Sequence, residues 1–129
     1  MKRQLLHVTA ALLMVCLSAT ASAHHAFSMF DQRTTIELKG TIKEFQWTNP
    51  HVWVQLLVTQ DDGSVVEWSI EGSSPNGLRR QGWKVTTLQP GMEVVLVANP
   101  LRNGDPGGSL VRVTLADGTV LGRRQDPND

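Results

Sequence analysis

Cysteine, tyrosine and long apolar runs are scarce in this chain, and each scarcity removes a class of explanation. The single cysteine, Cys16, sits in the apolar stretch near the N-terminus, so no disulfide framework and no Cys-based zinc site can be built. The residue before it is the bulky Val15, which disfavours a lipoprotein signal. There is no tyrosine among the aromatics, which are three Phe and four Trp. Cationic excess is missing as well. Twelve Lys and Arg balance twelve Asp and Glu, so no basic stripe exists to neutralise phosphates, and nucleic-acid binding of the electrostatic kind is disfavoured.

The one apolar run, from about Leu5 to Leu17, follows Lys2 and Arg3 and precedes Ala21-Ser22-Ala23. Charged start, apolar middle and small residues at −3 and −1 are the parts of an export signal. The run is shorter than the roughly 20 apolar residues a spanning helix needs, and nothing after residue 23 approaches that length, so no membrane span is expected in the mature protein. Residues 1–23 therefore read as a signal peptide cleaved after Ala23, which places the mature protein outside the cytoplasm. Loss of Lys2 and Arg3 leaves ten basic against twelve acidic residues. The remaining 106 or so residues suit one small domain with one core: a β-barrel over 24–121 and a flexible tail over 122–129.

Periodicity supplies the strands. Thr34 to Trp47 changes parity, with Ile36, Leu38 and Ile42 on one face and Phe45 and Trp47 on the other, which calls for a bulge near Gly40 or Glu44. His51 to Thr59 alternates Val52, Val54, Leu56 and Val58 against His51, Trp53, Gln55 and Leu57. Val65 to Gly72 alternates Val66, Trp68 and Ile70 against Glu67, Ser69 and Glu71. A three-residue loop, Asp61-Asp62-Gly63, pairs Val58 with Val66, Leu56 with Trp68 and Val54 with Ile70, whereas a two-residue loop would pair opposite faces. Ser73-Ser74-Pro75-Asn76 offers an N-cap and a first-turn proline, and Gly82 a stop, so a short helix is expected over 76–81, with Trp83 as a packing anchor. Met92 to Ala98 reads as a buried strand, 99–108 as a solvated Gly/Pro loop, and Ser109 to Leu115 as a fifth strand that turns back at Asp117-Gly118. The expected fold is all-β with one short helix: a small five-stranded OB-like Greek-key barrel. A small sandwich of the same strands is the competing architecture.

Three histidines survive cleavage: His24, His25 and His51. A free α-amine on His24, its imidazole and the rings of His25 and His51 could hold a transition metal, and copper(II) binds such nitrogen donors most tightly among the divalent ions. Three nitrogens of unspecified spacing are a weaker signal than a spaced Cys and His set. The plainer account, a polar start to the mature chain and a His51 that caps the Asn49-Pro50 turn, stands beside it. Trp53 points to the strand face bearing His51, Gln55, Glu67 and Glu71. There it is either covered by Phe27 or Phe30 or serves, with Gln55 and Glu71, as a ligand platform. Glu67 and Glu71, about 13 Å apart along a strand, are too far apart for a paired-carboxylate hydrolase and read as solvated or paired with Arg79 or Arg80. No Gly-x-Ser-x-Gly elbow, cysteine nucleophile or phosphate-cradling loop is present. The chain therefore reads as a non-enzymatic binding domain, with a protein-interaction or small-ligand module on the Trp53 face as the alternative to metal. The partner itself is not legible.

The combination of His24-His25-Ala26-Phe27, Gly40-Thr41-Ile42-Lys43, Asn49-Pro50-His51-Val52-Trp53, Trp68-Ser69-Ile70-Glu71, Ser74-Pro75-Asn76 and Gly82-Trp83 resembles a family of small exported bacterial proteins of unknown function that begin with a His-His-x-Phe signature. The resemblance implies a Gram-negative periplasmic setting and a compact β domain, and supplies no catalytic residue.

Overall fold

A computed structural model describes residues 29–122 of the chain. The segment 1–23, His24, His25, Phe27 and the tail from residue 123 lie outside the described residues. Among the described residues six strands and one helix follow in order: β1 (Ile36–Gln46), β2 (Trp53–Thr59), β3 (Val65–Glu71), α1 (Pro75–Arg80), β4 (Glu93–Pro100), β5 (Gly107–Leu115) and β6 (Val120–Gly122).

The strands order as β3-β2-β1-β4-β5-β6, and a further pairing of β3 with β5 closes the first five into a barrel. Three consecutive antiparallel strands with the fourth beside the first make a Greek key. Closure is parallel, through Ser69 with Gly107, Ile70 with Gly108 and Glu71 with Ser109. That closure decides for a barrel against a sandwich.

β1 serves both halves of the barrel. It pairs with β4 from Ile36 to Thr41 and with β2 from Thr41 to Gln46. Its register shifts between Ile42 and Glu44, so Lys43 is the extra residue of a bulge, and the change of parity read from the sequence is explained. Gly40 has another task. A Cβ there would collide with the Leu57 carbonyl oxygen and lie 2.9 Å from Leu56 Cγ, so glycine is what lets β1 cross close to β2.

The β2–β3 register matches the alternation residue for residue, including Trp53 opposite Glu71 and Gln55 opposite Ser69. Gln60 donates to Ser64 and Gly63 to Gln60, and Gly63 takes φ +83°, the left-handed conformation of a three-residue hairpin loop. α1 starts one residue earlier than expected, with Pro75 in its first turn and the Ser74 hydroxyl accepting from the Gly77 N–H.

One expectation requires correction. The segment 99–108 is not a solvated excursion throughout. β4 continues to Pro100 and β5 begins at Gly107, and both Gly107 and Gly108 are buried. These glycines permit close approach: a Cβ on Gly108 would lie 2.7 Å from the Asn99 carbonyl oxygen, and one on Gly107 would lie 2.7 Å from Leu101 Cδ1. The return after Asp117-Gly118 forms a sixth strand, which pairs with β5 from Arg112 to Thr114.

The barrel interior holds Leu38, Ile42, Val54, Leu56, Ile70, Val94, Leu96, Ala98 and Val113, and Leu78, Trp83 and Leu88 complete the same cluster. Burying each such aliphatic side chain contributes about 1.5–3 kcal/mol. Among the described residues no polar or charged side chain is buried. The interior of the barrel is therefore a packed core.

Candidate functional site

The outside of β2 and β3 is where the sequence-derived site residues meet. His51 precedes β2, and its neighbour Val52 is fully buried, bonded through its backbone to Ser73 and Gly72. Anchoring Val52 fixes the opposite parity, so His51, Trp53 and Gln55 are held on the outer face, each half-buried.

His51 is oriented by two acceptors. Its Nδ1 lies 3.1 Å from the Gly72 carbonyl oxygen and 3.5 Å from Glu71 Oε1. A carbonyl can only accept, so Nδ1 donates, and the tautomer this selects has its lone pair on Nε2. An imidazole held through one nitrogen by a carbonyl and a carboxylate is the arrangement that orients metal-bound histidines. The Thr48 hydroxyl donates to the His51 carbonyl at 2.9 Å, which ties the turn at Asn49-Pro50 to the same residue.

Trp53 stands opposite Glu71, and Gln55 opposite Ser69. All four are half-buried, so the face is open at its polar positions while the ring of Trp53 is partly covered. Phe30 is itself buried and bridged to Leu101, next to the β4–β5 connection, and Phe27 lies outside the described residues. The expected pairing of Glu67 with Arg79 or Arg80 is replaced by a contact with Lys43 at 2.6 Å. The bulge explains the change, because Lys43 is the extra residue and its side chain reaches across β2. Arg79 instead lies over the Trp47 ring, 5.6 Å from its centroid, and donates to Asn76.

Sequence reasoning missed the aromatic group beside α1. Phe45 meets Trp47 edge-on at 5.5 Å and tilts against Trp83 at 6.1 Å. The indole N–H groups of Trp47, Trp68 and Trp83 are buried without a partner. The post-bulge parity of Phe45 and Trp47 was the available signal, but parity does not say that Trp83, nearly 40 positions later, meets the same rings.

Among the described residues no three His, Cys, Asp or Glu side chains assemble as a metal site. His51 is the only histidine among the described residues, and His24 and His25 lie outside them.

A model of a family of unknown function, DUF6152, matches residues 11–110. The chain belongs to that family. The span matched by DUF6152 contains His51, Trp53, Gln55 and Glu71, and it ends within β5, ahead of β6. No curated protein and no solved structure matches the chain. Among the described residues no helix of this DUF6152 member is long and apolar enough to cross a membrane.

Proposed function

We propose that the chain is an exported, periplasmic binding domain without catalytic activity that holds a transition metal, copper(II) in preference, through His24, His25 and His51. The observation that carries this reading is the orientation of His51, whose protonated Nδ1 faces Gly72 and Glu71 and whose Nε2 is left to donate to a metal. Export rests on the signal-like segment ending at Ala23, and cleavage there gives His24 the free amine that completes the donor set.

Reach supports the same reading. Phe30 is bridged to Leu101, Leu101 donates to Gly107, and Gly107 pairs with Ser69 beside Gln55. Three interstrand steps of about 4.8 Å separate Phe30 from Ser69, roughly 14 Å, while the six residues from His24 to Phe30 span up to about 20 Å when extended. That extended length reaches Ser69, which pairs with Gln55 on the face that carries His51 at its far end.

The test is electron paramagnetic resonance of the exported, processed protein loaded with one equivalent of copper(II). Several nitrogen couplings are expected, with one fewer in His51→Ala and the wild-type count retained in Trp53→Ala. A spectrum unchanged by His51→Ala would reject the shared site. Half-exposed Trp53 favours the second reading, a small-ligand or protein module on the Trp53, Gln55 and Glu71 face that needs no metal; it gains if copper leaves the spectrum of free ions.

A further inference from the structure

Charge is segregated along this chain. From Glu44 to Leu78 the sequence holds five carboxylates and no Lys or Arg, whereas from Gly72 to Met92 it holds Arg79, Arg80 and Lys84 and no carboxylate. The fold converts that order into distance. β3 runs its seven residues from the hairpin at Asp61-Asp62-Gly63 to the segment that enters α1, so the hairpin tip and the helix lie at opposite ends of a strand about 20 Å long.

Two of the carboxylates are already engaged, Glu67 with Lys43 and Glu71 with His51. Asp61 and Asp62 are exposed at the tip, and neither forms an ion pair among the described residues. The Ser64 hydroxyl and N–H donate to Asp62 and hold its carboxyl below the ordinary value, so the tip keeps its negative charge. At the other end Arg80 and Lys84 are exposed and form no ion pair among the described residues. Each end also carries an exposed valine beside its charges: Val65 is 58% exposed next to the hairpin, and Val85 is 59% exposed next to Lys84.

We propose that the chain associates head to tail with a second copy of itself, the Asp61, Asp62 and Val65 tip of one molecule docking on the Arg80, Lys84 and Val85 end of the next. The two surfaces are complementary in sign and each carries one exposed valine. They are different patches of one molecule, so the contact is heterologous and leaves a free tip and a free cationic end on every pair, which makes the assembly open rather than a closed dimer. Exposed ion pairs are individually weak and are screened over about 10 Å at 0.1 M salt. Association is thus concentration-dependent and confined to low ionic strength.

The experiment is sedimentation equilibrium of the exported, processed chain over a concentration series, at about 0.02 M and about 0.5 M salt. The expected result is a mean mass that rises with concentration at low salt and stays monomeric at high salt. Arg80→Glu with Lys84→Glu should remain monomeric at both. So should Asp61→Lys with Asp62→Asn, in which the side-chain oxygen that caps Ser64 is retained. An equimolar mixture of the two variants should recover association, because each supplies the sign the other has lost. Circular dichroism of each variant confirms that it is folded. Wild type that stays monomeric at low salt, association that survives both reversals, or a mixture that fails to recover it would each overturn the proposal.

Discussion

From His51 to Leu56 the chain alternates between two environments built by the same backbone. Val52, Val54 and Leu56 are fully buried, while His51, Trp53 and Gln55 are half-exposed on the outer face. The inward set has one requirement, to fill the barrel, and any loss of volume there is felt by the whole fold. The outward set meets no such demand, and its polar and aromatic members are placed by the register rather than by their own packing. One strand thus supplies rigidity through half its residues and presents chemistry through the other half, which is how a small domain can hold an imidazole in a fixed direction without a buried polar network.

The contrast is sharpest at Leu56. Leu56→Ala should cost about 2–5 kcal/mol, read as a fall in the urea midpoint without change of slope, while Gln55→Ala one position away should stay within about 0.5 kcal/mol. Equal effects would mean that the two faces are not distinct. Gly40→Ala should come next, at about 1–3 kcal/mol, because the new methyl meets the Leu57 carbonyl oxygen and Leu56 Cγ; the same denaturation curve checks it. Ser74→Ala removes the hydroxyl that accepts from Gly77 and should cost about 1 kcal/mol, whereas Ser74→Asp should recover most of it.

The smallest effect concerns acid. Asp31, Asp62 and Asp117 each have a carboxyl held below the ordinary 3.8 by hydrogen bonds, chiefly from Thr34, Ser64 and Thr119 respectively. A carboxyl with a depressed folded-state pKa adds stability above its unfolded value and loses it as pH falls through the folded one. These loops should therefore loosen only below about pH 4, seen as faster amide exchange at Ser64 and Thr119 with barrel amides unaffected.

Much of the barrel was legible because side-chain alternation and turn chemistry agree locally. The β2–β3 register followed from requiring Leu56 to face Trp68, and Gly63 had to be left-handed to allow it. The path through Asn99 to Gly108 was not legible, because glycines that permit close approach look the same in sequence as glycines that make turns; only the neighbours Ala98, Leu101 and Ser69, brought in by the fold, tell them apart. For the candidate site, the outward parity of His51, Trp53 and Gln55 was readable. The Gly72 carbonyl that orients His51 was not, since it is a backbone group just past the end of β3, and Lys43 as the partner of Glu67 depended on which residue the bulge would expel.

The most direct test of the claim that His51 anchors a metal centre is a copper(II) titration of the natively exported protein, its N-terminus defined by intact mass, with His51→Ala measured beside it. A mass beginning at His24 and tight one-to-one binding that weakens in His51→Ala are the expected results. Binding no tighter than that of a His-His dipeptide, or indifferent to His51→Ala, would contradict the account and leave the Trp53 face as the working surface.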